Sequence, residues 1–163
     1  MKVWIDDARV ELAPTAVLGQ GGEAEVYDLG DGRAAKLFKT AAHPDVAGIA
    51  ALEAAATERL AEHQLKLPAF PTGLPARVVA PVALATRTKR GEIVGYAMPR
   101  VRGAALYHVG DPRWRRDHGV TLASALAAVC DLGATVDALH GAGVVIGDFN
   151  DLNVLVEGDR AWL

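Results

Sequence analysis

The chain has 163 residues, of which 51% are hydrophobic and 23% charged, a composition typical of a folded domain and unlike that of a disordered segment. The formal net charge of -3 provides no general basic field for nucleic acid, although Arg113, Arg115 and Arg116 form one local cluster. A single cysteine excludes an internal disulfide, and acidic residues near the N-terminus are unlike a secretory signal, so we expect a cytoplasmic chain with no membrane span.

The first forty residues have the pattern of a β-meander. Apolar stretches at 16–18, 26–29 and 34–38 predict three strands. Asp31 and Gly32 supply the positive φ angles that a tight hairpin between the last two strands requires. Three antiparallel strands are therefore expected.

One helix and two further strands are predicted next. Residues 43–63 are rich in alanine and carry apolar side chains at helical spacing, which predicts an amphipathic helix. Prolines and glycines at 68–75 end that helix and form a long connection. The runs at 76–86 and 92–101 predict strands on either side of a basic turn.

A second amphipathic helix is predicted after residue 120. Thr121 suits the N-cap position, and Gly141 suits the C-terminal cap. The stretch that follows, GVVIGDFNDLNVLV, interrupts apolar residues with aspartate and asparagine, which are poor strand formers. We therefore expect a polar loop between two short strands at 144–146 and 154–156.

Two features in the first half suggest binding of an anion. Gly19, Gly21 and Gly22 lie between the first two strands and allow the backbone to approach a ligand closely, and a glycine-rich hairpin without a ligand is the alternative explanation. Lys36 lies inside an otherwise apolar strand, where an ammonium is costly unless it is paired or bound to an anion, and the alternative is a lysine that extends from an edge strand into solvent. Glu53 borders the apolar stripe of the first helix and is the better candidate partner, with Glu58 as the alternative.

The segment LHGAGVVIGDFNDLNVLV resembles the catalytic segment of the eukaryotic-type protein kinases that also occur in bacteria, L-H-x-x-G-I-I-H-R-D-L-x-x-x-N-I-L-L. The positions that match without a gap are Leu139, His140, Gly143, Asp148 and Asn153. The glycine-rich loop and the strand lysine precede this segment in the same order as in the family.

The resemblance implies an α+β, protein-kinase-like fold with a five-stranded antiparallel N-lobe sheet and one helix, a hinge, and the beginning of a helical C-lobe. The N-lobe would comprise residues 1–98, the hinge 99–103 and the partial C-lobe 104–163.

The resemblance also implies ATP-dependent transfer of the γ-phosphate to a Ser or Thr hydroxyl. Asp148 would act as the base, and Asn153 would bind Mg²⁺. Lys36 would contact the α- and β-phosphates, with Glu53 holding it in place. Such chemistry depends on positioning and on charge stabilisation, which these residue types supply.

The nucleotide contacts implied by the resemblance come from the glycine-rich loop, the strands and the hinge. Met98 would be the gatekeeper, Pro99 would offer a carbonyl to adenine, and Val101 would offer both backbone groups. The full set comprises Leu18, Gly19, Gln20, Gly21, Gly22, Val26, Ala34, Lys36, Met98, Pro99, Val101 and Leu155.

Departures from the family pattern leave other phosphotransferases open. Ile146 and Gly147 replace the His-Arg pair before the catalytic aspartate, and Asn150 replaces a lysine that contacts the γ-phosphate in protein kinases. The Gly147-Asp148 pair is similar to that of small-molecule kinases for aminoglycosides or choline, so the hydroxyl acceptor is expected to be a protein or a small molecule.

A third alternative is an inactive, nucleotide-binding pseudokinase or scaffold. The family's D-F-G segment, whose aspartate binds Mg²⁺, does not follow the predicted hairpin around Gly158 and Asp159. We therefore expect a fragment of a larger domain, or a partner that covers an exposed apolar face of the 121–140 helix.

Overall fold

A computed structural model describes all residues from 1 to 163, and they form two compact units. Unit 1 comprises Met1–Phe70 and Ala80–Arg100, and unit 2 comprises Pro71–Val79 and Val101–Leu163. The chain thus changes unit after Arg100, and the segment Pro71–Val79, which the prediction included in the N-lobe, belongs to unit 2.

Unit 1 is built on one antiparallel sheet of seven strands in the order β2-β1-β6-β7-β5-β4-β3. The strands are β1 Lys2–Ile5, β2 Ala8–Glu11, β3 Val17–Gln20, β4 Ala24–Asp28, β5 Arg33–Phe38, β6 Ala83–Thr86 and β7 Ile93–Pro99. Because successive side chains of a strand point to opposite faces, one face of this sheet carries the core of the unit. That core contains Val3, Ile5, Leu12, Tyr27, Ala35, Leu37, Ala85, Val94 and Ala97.

The predicted fold class is wrong, because the sheet has seven strands rather than five and the chain has four helices and a second sheet. The two additional strands come from the first eleven residues. Asp6 and Asp7 form the two-residue turn between β1 and β2, and both have positive φ, at 51° and 61°. Consecutive aspartates between alternating apolar residues are the signal for this hairpin that the prediction missed.

Helix α1, Ala50–Lys66, begins later and ends later than predicted. Gly48, at a φ of +86°, adopts a left-handed conformation that breaks any helix before this point. The helix is fastened to β7 by Gln64, whose side-chain amide donates to Ile93 O at 2.8 Å and accepts from Ile93 N at 2.9 Å.

Unit 2 consists of three helices and a small antiparallel sheet in the order β10-β9-β8. Its elements are β8 Ala104–Ala105, α2 Leu106–Gly110, α3 Pro112–Asp117, α4 Leu122–Gly141, β9 Leu155–Glu157 and β10 Arg160–Trp162. The predicted N-cap is confirmed, since Thr121 Oγ1 accepts from Ser124 N at 3.0 Å. Residues 144–146 are not a strand, and in the run 76–86 only β6 is one.

The core of unit 2 lies between α4 and the hairpin of β9 and β10, where Leu132, Val154 and Ala161 are buried. The segment Pro71–Val79 joins this core through Arg77, whose guanidinium lies 4.7 Å from the Trp162 ring centroid and 3.6 Å from the Asp131 carboxylate.

Helix α4 also carries apolar side chains that this core does not cover. Leu122, Leu126 and Val129 are 62%, 57% and 49% exposed. By length and composition α4 could cross a membrane, a criterion that core helices of soluble proteins also meet. The expectation of a cytoplasmic chain without a membrane span stays a prediction.

Candidate functional site

In unit 2, the loop that follows α4 holds Asp148 in a fixed hydrogen-bond network. Asn150 Nδ2 donates to Asp148 Oδ1 at 2.9 Å. Asn153 Nδ2 donates to Asp148 Oδ2 at 2.8 Å and to the Asp148 carbonyl at 3.0 Å. Each carboxylate oxygen therefore accepts from an amide, while the aspartate remains exposed and accessible to a substrate.

The same asparagines also shape the backbone of this loop. Asn150 Oδ1 accepts from Leu152 N at 3.0 Å and from Asn153 N at 3.1 Å. Two backbone bonds then attach the loop to α2, from Tyr107 N to the Asp151 carbonyl and from Leu106 N to the Val154 carbonyl. The polar residues that interrupt the apolar run are thus the residues that build the loop.

The loop supplies some, but not all, of the oxygen ligands that Mg²⁺ needs. Asn153 uses its amide nitrogen twice, and its Oδ1 accepts no hydrogen bond from the chain. Carbonyl and carboxylate oxygens are the ligands that Mg²⁺ prefers, usually one or two of them together with phosphate oxygens. The chain has no cluster of three or more His, Cys, Asp or Glu side chains that could hold a metal without such help.

In unit 1, the strand register brings four of the predicted nucleotide contacts to one face of the sheet. Lys36 of β5 pairs with Val26 of β4, and Ala34 pairs with Met98 of β7. Paired residues of an antiparallel sheet point to the same side, as do residues two apart. This face is opposite to the one that carries the core residue Leu37.

The predicted ion pair between Lys36 and Glu53 is not formed. Lys36 belongs to none of the ion pairs of unit 1. The Glu53 carboxylate instead accepts from Gly48 N at 2.7 Å, because the late start of α1 places Glu53 in the first helical turn. Glu58 is exposed and also has no ion pair.

Lys36 instead lines a cavity of about 260 Å³ within unit 1. None of the other residues around this cavity was among the predicted site residues; they are Glu23, Ala24, Phe38, His63, Lys66, Leu67, Phe70 and Tyr96. Of these, Lys66 lies in the part of α1 beyond the predicted end of the helix.

Gly19 is the third residue of β3, and Gly21 and Gly22 lie in the connection between β3 and β4. Gly19, Gly21 and Gly22 all have ordinary φ angles, and a Cβ on any of them would meet no atom closer than 3.6 Å. Gly21 N donates to the Ala24 carbonyl at 2.8 Å, and the Gln20 amide donates to Glu25 Oε1 at 2.8 Å. The register of β3 and β4 shifts between Val17 and Gly19, and an irregularity of this kind is a structural reason for glycine in a strand.

The remaining predicted contacts lie at the ends of elements or in unit 2. Leu18 is an exposed residue of β3, and Pro99 is the exposed last residue of β7. Val101 and Leu155 are half-buried residues of unit 2.

No protein-family model matches the chain, and a search of curated proteins finds no similar sequence. The family hypothesis therefore depends on the motifs quoted above.

Proposed function

We propose that the protein is an ATP-dependent phosphotransferase that acts on a hydroxyl group, with Asp148 as the catalytic base. The observation that carries this proposal is the network in which both Asp148 oxygens accept hydrogen bonds from Asn150 and Asn153. An exposed carboxylate held in one orientation is what a general base requires, because reaction rate depends on the geometry of proton transfer.

In the proposed reaction Asp148 takes the proton of the acceptor hydroxyl while the oxygen of that hydroxyl forms a bond to the γ-phosphorus. The bond between that phosphorus and the bridging oxygen breaks, and ADP leaves with the electron pair. Asp148 then returns its proton to solvent, so that the carboxylate is regenerated.

Unit 1 is proposed to hold the nucleotide through Lys36 and the apolar side chains that share its face. The ammonium of Lys36 has no partner in the chain, so it can bind phosphate oxygens without breaking an existing ion pair. Val26, Ala34 and Met98 would contact the apolar faces of adenine.

Asn153 Oδ1 is the atom of this chain best suited to bind Mg²⁺ alongside the phosphates. When bound, the ion would neutralise charge on the phosphate oxygens. The Asn153 amide nitrogen keeps Asp148 in place at the same time.

A small-molecule acceptor is a second candidate, and the role of Asn150 favours it. Protein kinases commonly have a lysine at this position, whereas here the side chain bonds to Asp148 and to the loop backbone. Asn150 is thus committed to loop structure and supplies no charge to a γ-phosphate.

The test is transfer from γ-labelled ATP with Mg²⁺ to three acceptors: casein as a protein, kanamycin as an aminoglycoside, and choline. We expect label on one of them, lost when EDTA removes Mg²⁺. Label on casein identifies a protein acceptor, and label on kanamycin or choline identifies a small molecule. Absence of transfer to all three, together with absence of ATP binding in calorimetry, would refute the proposal.

A further inference from the structure

The cavity beside Lys36 has walls of two different kinds. Phe38, Leu67, Phe70 and Tyr96 provide apolar and aromatic surface, with Phe70 partly exposed. The polar lining consists of Lys36, His63, Lys66 and Glu23. A void of about 260 Å³ lies just below the usual range for ligand pockets, so it suits a compact ligand.

Only one charge of this lining is free. Glu23 pairs with Arg59 at 3.1 Å, and Lys66 pairs with Glu62 on the same helix. Lys36 has no such partner. The cavity therefore offers a single unpaired positive charge, which matches a ligand with one compact anionic group.

A second polar group of the cavity also lacks a partner. His63 Nδ1 is buried and makes no hydrogen bond. Burial, and secondarily the nearby Lys66 ammonium, lowers the pKa of His63, so the imidazole is neutral at pH 7. Because Nδ1 is closed to solvent, His63 adds a neutral ring to the wall of the cavity and no hydrogen bond to a ligand.

The aromatic walls favour a planar ligand. Phe38 stacks on His63 with ring centroids 3.9 Å apart and planes 10° apart. Tyr96 lies 6.1 Å from Phe38 at an angle of 59°, so a ring can meet both stacked and tilted surfaces.

We propose that this cavity binds a small aromatic acid, with its anionic group on Lys36 and its ring against Phe38 and Tyr96. The inference rests on the proposed function in one respect, since Lys36 is also assigned to the ATP phosphates. An aromatic acid in this cavity would therefore compete with ATP and inhibit transfer.

The test is calorimetry of the 163-residue chain with benzoate, phenyl phosphate, cyclohexanecarboxylate and benzylamine. We expect benzoate or phenyl phosphate to bind, which distinguishes a carboxylate from a phosphate head group. Cyclohexanecarboxylate should bind more weakly because it lacks a planar ring, and benzylamine should not bind. Equal binding of all four, or of none, would overturn the proposal.

Variants locate the binding site. Lys36→Met should weaken the better acid at least about tenfold, the usual value of a hydrogen bond to a charged group. Lys89→Met, at an exposed lysine of the β6–β7 turn, is the matched control and should change nothing. Unchanged binding in Lys36→Met would place the acid elsewhere.

ATP titrations of the same proteins separate this inference from the proposed function. Acid binding by a chain that does not bind ATP would refute the nucleotide role and leave the acid site standing. Transfer from ATP by a chain that binds no aromatic acid would refute the acid site alone. An acid that binds without weakening ATP would overturn the proposed competition.

Discussion

The two charges on which the proposed chemistry depends have opposite surroundings. In unit 2 the Asp148 carboxylate accepts a hydrogen bond at each oxygen, from Asn150 and from Asn153. In unit 1 the Lys36 ammonium has no partner, and the carboxylate expected to pair with it bonds to Gly48 N. The proposed base is therefore oriented by the chain itself, whereas the lysine is left for a ligand to pair.

Apart from loss of the proposed base itself, the largest fall in transfer is expected for Lys36→Met. Loss of one preorganised positive group at the phosphates should lower transfer by ~10²- to 10³-fold. Thermal stability should stay the same or rise, because no ion pair is lost and a half-buried charge is removed. Transfer assays and thermal melts check this, with Lys89→Met as control. A large fall in melting temperature would show that Lys36 has a structural partner.

Asn153→Ala should lower transfer less than Lys36→Met does. It should also loosen the loop that holds Asp148. It removes both hydrogen bonds to Asp148 and the proposed Mg²⁺ ligand, so the Mg²⁺ concentration for half-maximal transfer should rise about 10- to 100-fold. Asn150→Ala is the comparison, because it loosens the loop and leaves Asn153 Oδ1 in place. If both variants require the same Mg²⁺ concentration as the unmodified chain, Asn153 is not a metal ligand.

Glu53→Ala should lower stability and leave transfer unchanged. The carboxylate bonds to Gly48 N beside the positive end of α1, an arrangement worth about 0.5–1 kcal/mol. Glu58→Ala, at an exposed position of the same helix, should alter the free energy of unfolding less, and urea unfolding measures both. A loss of transfer in Glu53→Ala as large as that in Lys36→Met would mean that these residues do pair during the reaction.

The smallest expected effect is a change in stability at the face of the unit 1 sheet opposite Lys36, where Tyr27 and Glu25 already bond to each other. Tyr27 Oη donates to Glu25 Oε2 at 2.5 Å, and this bond is the main reason why the pKa of Glu25 is below its usual 4.5. A depressed carboxyl pKa stabilises the fold above about pH 4.5, and that stability is lost as the pH falls through the folded value.

Tyr27→Phe should therefore destabilise the chain more at pH 7 than at pH 3. Urea midpoints at the two pH values measure the difference. A destabilisation that is equal at both pH values would show that the hydroxyl does not act through Glu25.

Sequence patterns predicted local elements where one residue type determines the conformation. Thr121 marks the start of α4 because its hydroxyl accepts the bond from Ser124 N, and Gly158 marks the turn between β9 and β10 because its φ is +65°. The start of α3 carried a similar signal that was missed, since Asp111 before Pro112 accepts from Arg113 N at 2.8 Å.

The surroundings of Lys36 were less predictable. Strand alternation is enough to place Ala34 on its face, because the two residues lie two apart on β5, whereas the position of Val26 depends on the register of β4 and β5. The partner of Lys36 depends on where α1 begins and ends, and the left-handed Gly48 moves that start by several residues. The later start places Glu53 in the first turn of α1, where its carboxylate accepts from Gly48 N, and a helical periodicity count does not reveal that start.

The most direct test of the account is the single-turnover rate of phosphoryl transfer by Asp148→Asn at saturating ATP and Mg²⁺. Asp151→Asn, at an exposed carboxylate of the same loop, is the matched control. The account predicts a fall of ~10²- to 10⁴-fold for Asp148→Asn, with ATP affinity and the control rate unchanged. Equal rates in the two variants would contradict the assignment of Asp148 as the base.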